Sequence, residues 1–204
     1  MKKNNADTVV VLDFETSGLS PDMGDRAIEI GAVLIEAGKI TDRFQQLMNP
    51  GFKINSFIQQ YTGITNSMLR NADIGSEVIK KFVEFIGKNN LVAHNASFDR
   101  RFLDSEMAIA KKSYNGQFSC TLLLARRIYQ NAQDHKLGTL IRLKNLPSSG
   151  VFHRALADAE MTAHLWLRML EDLEVEYGIV NPSFEYVEKL SKMPKQKVAS
   201  LLRK

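Results

Sequence analysis

The chain has 204 residues, 44% of them hydrophobic and 25% charged, which is typical of one folded domain and excludes a disordered or fibrous chain. No apolar run approaches the ~20 residues of a membrane span, no signal-peptide core precedes the first predicted strand, and a single cysteine excludes an internal disulfide. The net charge of +4 lies entirely in residues 185–204, so the body of the protein is not a strongly basic nucleic-acid-binding surface. These features predict a cytoplasmic protein with no membrane partner.

The first part of the chain predicts a strand followed by a hairpin. Residues 8–14 are an apolar run rich in β-branched side chains, which indicates a buried strand. Residues 26–48 contain two partly alternating segments on either side of Gly38, and an Asn-Pro pair ends the second segment. Residues 55–69 then predict short helical turns around a glycine.

Helices and strands alternate in the middle of the chain. Residues 73–90 are amphipathic with helical spacing, and residues 91–95 form another short apolar strand. Residues 97–112 predict a helix, residues 118–120 a weak strand and residues 121–132 a further helix. An early hairpin followed by this alternation predicts an α/β fold with a mixed sheet.

A long helix over residues 154–178 follows a loop at 146–151. Its predicted apolar stripe consists of Leu156, Ala159, Ala163, Leu167 and Leu170. The segment after this helix contains two prolines and predicts a loosely attached helical extension. We therefore divide the chain into one domain, residues 1–178, and a short basic C-terminal extension, residues 179–204.

Two acidic residues, Asp13 and Glu15, come at the end of the first predicted strand. Residues two apart on a strand point to the same face, so both carboxylates can converge on one point. Without a counterion the two charges would repel each other, whereas a divalent cation would bind both. The alternative is a solvated strand end followed by a Ser-Gly turn.

A second polar segment follows the strand at residues 91–95. Asp99 falls in the first turn of the next helix, where a carboxylate often serves only as a cap or complements the helix dipole. Asn95 is compatible with a simple turn residue, and His94 continues the apolar strand and is interpreted as packed. Taken alone, this segment indicates structural roles for these residues more than catalytic or metal-binding ones.

A third polar segment surrounds the start of the last helix. His153 precedes the helix, and Asp158 interrupts an otherwise small and apolar helix face, where a carboxylate requires a partner. His135 and His164 are interpreted as ordinary structural residues. Together, the three segments supply acids and a histidine from separated elements. This combination fits two-metal cleavage of a phosphodiester, with the histidine accepting a proton.

Five motifs occur in order along the chain: DFETSG, YTGIT, LVAHNASFD, SCTLLLAR and HRALADAEMTA. With these motifs the sequence resembles the DEDDh-type 3′–5′ exonucleases, the family of the epsilon proofreading subunit of bacterial DNA polymerase III and of ribonuclease T. The resemblance runs from Val9 to Glu171. It implies a ribonuclease H-like fold, in which helices flank a mixed five-stranded sheet.

The resemblance also implies roles for individual residues. Two divalent cations, Mg²⁺ or Mn²⁺, would be held by the carboxylates of Asp13, Glu15, Asp99 and Asp158, and His153 would be the general base. Asp13 would contact both ions, and Asp99 the second one, partly through water. The residues expected to contact substrate are Thr16, Thr62, Ile64 and Asn95. Thr62 stands where the epsilon subunit has a histidine, and core packing is the alternative for Ile64.

The implied function is the release of nucleoside 5′-monophosphates from single-stranded 3′ ends, with DNA as the expected substrate. One alternative is an RNA-trimming enzyme of the ribonuclease T or oligoribonuclease type. Another is a catalytically inactive nucleic-acid- or polymerase-binding module, against which the complete set of acids and histidine argues. A polymerase partner and a homodimer both remain open. The basic extension is either a weak phosphate contact or a solvated helix.

Overall fold

The computed structural model describes residues 5–148 and 153–202, and a sheet of five strands forms its framework. The strands are β1 (Val9–Thr16), β2 (Ala27–Glu36), β3 (Lys39–Leu47), β4 (Asn90–Ala93) and β5 (Phe118–Cys120). Their order is β3-β2-β1-β4-β5. The β3–β2 and β2–β1 pairs are antiparallel, whereas the β1–β4 and β4–β5 pairs are parallel. The predicted α/β fold with a mixed five-stranded sheet is confirmed.

Helices cover both faces of this sheet. They are α1 (Ser56–Thr62), α2 (Asn66–Arg70), α3 (Gly75–Ile86), α4 (Ser97–Ile109), α5 (Thr121–Ile128), α6 (Leu137–Leu143), α7 (Ala155–Tyr177), α8 (Phe184–Lys192) and α9 (Val198–Leu202). One apolar cluster joins the sheet to α3 and α4, and a second joins its other face to α5, α7 and α8. None of these described helices has the length and apolar character needed to cross a membrane.

The central strand β1 is apolar throughout because both of its faces are covered. Val9 and Val11 belong to the cluster with α7, whereas Val10 and Leu12 belong to the cluster with α3 and α4. All four side chains are fully buried. A strand buried on both faces needs no polar alternation, which explains the continuous apolar run in the sequence.

The first strand and the hairpin after it follow the prediction closely. The sequence placed Asp13 and Glu15 at the end of the first strand, but β1 continues through Thr16, so both residues lie inside it. The predicted hairpin is confirmed, because β2 and β3 pair and connect at Ala37 and Gly38. These two residues have φ values of 49° and 76°, a left-handed conformation that glycine adopts without strain.

The predicted strand at residues 91–95 ends earlier, at Ala93. His94 and Asn95 form the turn into α4, and Asn95 has a φ of 67°. Asparagine tolerates this left-handed conformation better than most residues. The turn places the start of α4 beside β1.

α7 is buried over a wider surface than the predicted stripe. Ala159 and Ala163 are fully buried, but Leu156, Leu167 and Leu170 are only partly buried. The large side chains that it buries completely or nearly so are Met161, Leu165, Trp166, Met169 and Leu173. The stripe was too narrow because α7 packs on the sheet and also on α5 and α6.

The C-terminal segment packs into the core, so the expectation of a loosely attached extension is wrong. The α8 side chains of Phe184, Val187 and Leu190 are fully buried in the same cluster as α7. Just before α8, the carbonyl of Pro182 accepts a hydrogen bond from the Ala6 N–H at 3.0 Å. The amphipathic α8 therefore covers apolar surface of the main body. The division at residue 178 itself stays a prediction.

Candidate active site

Three carboxylates meet where β1 approaches the first turn of α7. Asp13 and Glu15 project from one face of β1, and α7 brings Asp158 to the same point. Oxygen atoms of these three side chains all lie within 4.8 Å of one another. Because hard divalent cations prefer carboxylate oxygens, this acidic cluster could hold a metal ion.

Burial and mutual repulsion raise the pKa values in the acidic cluster. Burial, followed by the charges of Asp99 and Asp158, holds the pKa of Asp13 well above its usual range. Burial, followed by the charge of Asp158, raises the pKa of Glu15 to about 8. Burial also raises the pKa of Asp158, against the opposing effect of the His153 N–H. The metal-free cluster thus retains protons near neutral pH, and a bound cation would displace them.

Asp99 reaches the same region from the first turn of α4. Its Oδ1 accepts a hydrogen bond from the Phe14 N–H at 3.2 Å, so the side chain contacts β1, and the carboxylate also accepts from its own backbone N–H. Asp99 is 3% exposed, and burial raises its pKa to about 7 although these hydrogen bonds oppose the shift. Its charge is the largest electrostatic influence on Asp13. Its role as a metal ligand stays a prediction.

His153 is held beside the acidic cluster by backbone and ring contacts. Its N–H donates to Asp158 Oδ2 at 2.9 Å. Its imidazole packs against the ring of Tyr61, with 4.0 Å between centroids and an interplanar angle of 35°. Its φ is 62°, a conformation that a residue with a side chain keeps only when its surroundings hold it there. The structure thus brings together all five residues predicted to be catalytic.

A cleft of about 830 Å³ opens over these residues. Its floor contains the four acids, and the three predicted substrate residues Thr16, Thr62 and Asn95 line it as well. Thr16 Oγ1 donates to the Gly18 carbonyl at 2.6 Å, and Thr62 Oγ1 donates to the Ile58 carbonyl at 2.8 Å. Because both hydroxyl protons are used within the protein, these threonines can offer a substrate only lone pairs or backbone groups.

Ile64 is the predicted substrate residue that the structure does not bring to the cleft. It is fully buried in a small cluster with Ile28, Ile54 and Leu69. Its N–H donates to Thr62 Oγ1 at 3.1 Å, which stabilises the turn after α1. Ile64 is therefore a core residue, which was the alternative to a substrate contact in the sequence analysis.

The cleft has exposed apolar walls that sequence reasoning missed. Phe57 and Tyr61 of α1 are 67% and 51% exposed, and Leu19, in the loop after β1, is 78% exposed. The rings of Phe57 and Tyr61 are stacked, with centroids 5.9 Å apart. Their spacing of four residues on one helix was the available signal. Exposed aromatic rings at a cleft provide surfaces on which nucleobases can stack.

His94 also lines the cleft, but its ring nitrogens are engaged within the protein. Nε2 lies 3.0 Å from the His135 carbonyl, which can only accept a hydrogen bond, so Nδ1 accepts from the Thr121 hydroxyl at 2.8 Å. Burial lowers the pKa of His94 to about 4. An imidazole that is neutral and hydrogen-bonded at both nitrogens supports the interpretation of His94 as a packed residue.

A mixed sheet, with four carboxylates and a histidine gathered at one cleft, defines a nuclease of the ribonuclease H-like class. The profile of a family described as "Exonuclease" matches residues 10–166. A DNA polymerase III subunit epsilon from Aquifex aeolicus is 35% identical over 181 residues, which cover 88% of this chain and 89% of that protein. The chain belongs to the DEDDh-type exonuclease family, as its motifs indicated.

Further relatives and solved structures agree with this family. A PolC-type DNA polymerase III from Caldanaerobacter subterraneus is 42% identical over 85% of this chain, although the match spans only 12% of that polymerase. Exonuclease X in complex with 5′-overhanging duplex DNA matches with a TM-score of 0.71 and 26% identity, covering 90% of this chain and 99% of that one. The nuclease domain of 3′hExo, a DEDDh family member bound to rAMP, shares the fold (TM-score 0.70, 23% identity, 81% and 92% coverage). The predicted ribonuclease H-like fold is confirmed.

The stability of the metal-free protein should fall as pH rises through the range in which the acids ionise. In the folded state Glu15 keeps its proton up to about pH 8, whereas its ordinary pKa is near 4.5. Between these values the folded state binds more protons than the unfolded state, so the free energy of unfolding decreases with rising pH. In EDTA we expect a lower Tm at about pH 8.5 than at about pH 6. Added Mg²⁺ should restore the Tm at the higher pH.

The matched control is Glu15→Gln, which removes one of the titrating groups. Its metal-free Tm should vary less across the same pH range, because a glutamine releases no proton. A wild-type Tm in EDTA that rises from about pH 6 to about pH 8.5 would contradict the raised pKa values.

Proposed function

We propose that this protein is a 3′–5′ exonuclease that releases nucleoside 5′-monophosphates from single-stranded 3′ ends of DNA. The observation that carries the proposal is the convergence of Asp13, Glu15 and Asp158 within 4.8 Å, with Asp99 and His153 in the same cleft. The Aquifex relative named as an epsilon subunit, which matches over nearly its whole length, supports DNA as the substrate. Association with a polymerase and a cytoplasmic location are the corresponding expectations for this chain.

The carboxylates and the histidine divide the chemistry. Asp13, Glu15, Asp99 and Asp158 would hold two divalent cations, Mg²⁺ or Mn²⁺. When bound, these ions would supply Lewis-acid stabilisation of the charge that develops on the scissile phosphate. His153 would accept the proton of the attacking water, and its contact with Asp158 keeps it at the edge of the acidic cluster.

The walls of the cleft would position the end of the strand. The rings of Phe57 and Tyr61 and the exposed Leu19 provide apolar surfaces for the terminal bases. Such contacts do not depend on base identity, so sequence-independent digestion follows. Thr16, Thr62 and Asn95 would contact the sugar and phosphate at the bottom of the cleft.

A 3′-phosphate should block digestion of a single-stranded oligonucleotide, whereas a 5′-phosphate should not. The cleft must hold the 3′-terminal nucleotide itself, and a 3′-phosphate adds a bulky group to that nucleotide. Slowing by about tenfold or more is expected, because a misfit that costs only ~1.4 kcal/mol in the transition state has this effect. The measurement is the rate of mononucleotide release with Mn²⁺, with EDTA as the metal-free control.

Other outcomes of this experiment decide between the alternatives. Release of internal fragments from a circular single strand would contradict an exonuclease. Faster digestion of a matched RNA oligonucleotide would replace DNA by RNA as the substrate. If Mn²⁺ supports binding of the oligonucleotide but no release of mononucleotides, the protein is an inactive binding module.

A further inference from the structure

Glu29 is a buried glutamate beside the cleft, and the chemistry proposed above does not use it. It lies on β2 directly opposite Glu15 of β1 and is completely buried. Its Oε1 accepts hydrogen bonds from Arg154 Nη2 at 2.8 Å and from Gln45 Nε2 at 2.9 Å. Its Oε2 accepts from Arg154 Nε at 3.2 Å and from the Ala155 N–H at 3.0 Å. Three of these contacts come from two consecutive residues at the start of α7.

The start of α7 has no side-chain cap of its own. Its N-cap residue is Arg154, and no side chain there makes a capping hydrogen bond. The first N–H groups of a helix lack partners within the helix, and a carboxylate is favoured at that end. Glu29 supplies this carboxylate from β2, 126 residues away from Ala155 in sequence.

The same end of α7 lies directly on the backbone of β2. A Cβ added to Gly31 would approach Leu156 N to 2.1 Å and Ala155 C to 2.2 Å, so only glycine fits there. Gly31 and Glu29 are two residues apart on the strand and therefore face the same side. The close approach at Gly31 and the Glu29 contacts therefore act on the same end of α7.

We propose that Glu29 is a positioning residue for the proposed nuclease reaction. Through Arg154 and Ala155 it holds the start of α7, and this in turn sets His153 and Asp158 against the carboxylates of β1. His153 immediately precedes Arg154, and its left-handed backbone needs such restraint. Asp158 follows within the first turn. This inference rests on the proposed function, because the positions of His153 and Asp158 affect the rate only if they take part in the nuclease reaction.

A second buried glutamate provides a matched control. Glu106 of α4 is 1% exposed, and it binds Arg26 Nε at 2.7 Å, Arg26 Nη2 at 2.8 Å and the Ala27 N–H at 3.2 Å. Like Glu29, Glu106 accepts from one guanidinium and from the next backbone N–H, and Glu29 accepts in addition from the Gln45 amide. However, Glu106 joins α4 to the start of β2, and α4 packs on the face of the sheet opposite to α7. Removing either charge should cost comparable stability, but only one should disturb His153.

The experiment compares Glu29→Gln with Glu106→Gln. Steady-state rates on a short single-stranded DNA with Mn²⁺ are measured together with the free energy of unfolding of each variant. We expect kcat to fall by roughly 10–100-fold in Glu29→Gln and to stay within about threefold of wild type in Glu106→Gln, because Glu106 binds Arg26 and Ala27 and not the start of α7. Equal kcat values in the two variants would overturn the inference.

Arg154→Lys is the second variant, in case Glu29→Gln does not fold. Arg154 is 36% exposed, so the site tolerates a change. Lysine keeps the positive charge near Glu15 but loses the planar fork that binds Glu29 at two points. A loss of kcat in Arg154→Lys is expected, and a wild-type kcat would overturn the inference by showing that charge alone suffices.

A spectroscopic readout separates failure of this inference from failure of the proposed function. The Tyr61 ring lies 4.0 Å from the His153 ring, so its ring current shifts the His153 Hε1 resonance in the metal-free protein. This resonance is assigned by its loss in His153→Gln. It should move toward the unstacked value in Glu29→Gln and stay in place in Glu106→Gln. An unmoved resonance in Glu29→Gln would overturn the inference. If the resonance moves in Glu29→Gln but the wild-type protein has no nuclease activity, only the proposed function is overturned.

Discussion

Replacement of Asp13 by asparagine is expected to slow nucleotide release by at least about 10³-fold, because a metal supplies several kcal/mol of transition-state stabilisation. A carboxylate oxygen of Asp13 lies within 4.8 Å of oxygen atoms of Glu15 and Asp158. The protein should remain folded and become more stable at neutral pH, since one of several repelling charges is removed. The measurements are the rate at saturating Mn²⁺ and urea unfolding in EDTA.

The control for this prediction is Asp22→Asn. Asp22 is an exposed acid in a 3₁₀ turn at Pro21–Met23, so the change in net charge is the same without any effect on the cluster. This variant should keep wild-type activity. If Asp13→Asn also keeps its rate when the metal is saturating, the two-metal assignment fails.

Replacement of His153 by glutamine is expected to lower kcat by about 10²–10⁴-fold, the usual contribution of a positioned base. The affinity for Mn²⁺ should change little, because the proposed ligands are the carboxylates. Glutamine keeps the backbone hydrogen bond to Asp158 possible, since His153 donates it through its N–H. Steady-state kinetics and Mn²⁺ titration by calorimetry measure the two quantities separately.

His164→Gln is the matched histidine control. His164 lies in the middle of α7, half-buried and more than a turn beyond Asp158. We expect normal kinetics from this variant. A near-normal kcat in His153→Gln, or a loss of Mn²⁺ binding there, would contradict the role of His153 as the general base.

The chemistry of the site was predictable from the sequence because it depends on local patterns. Asp13 and Glu15 share a face through the two-residue period of a strand, whatever the rest of the fold does. The β-branched run before them and Gly38 in the hairpin turn are likewise local signals. Asp99 alone resembled a helix cap, and only its order among the other motifs indicated a site.

Other features depended on contacts between distant segments. Glu29 meets Arg154 across 125 residues, and Glu106 meets Arg26 across 80 residues. Neither pairing has a sequence signal, because an isolated glutamate on an apolar strand or helix does not specify its partner. The strained backbone of His153 similarly became visible only with these contacts in place.

By itself, the sequence determined the α/β class, the strands and the hairpin, because these follow from residue periodicity. It also indicated the acids and the histidine of the candidate site, because their motifs occur together and in the order seen in the exonuclease family. Only the tertiary structure decided that Ile64 is buried, that Phe57 and Tyr61 line the cleft, and that α8 packs into the core. The sequence of an amphipathic helix predicts that the helix has an apolar face, but it does not predict which surface covers that face. Burial is a property of packing between elements, and the spacing of residues along one element does not contain it.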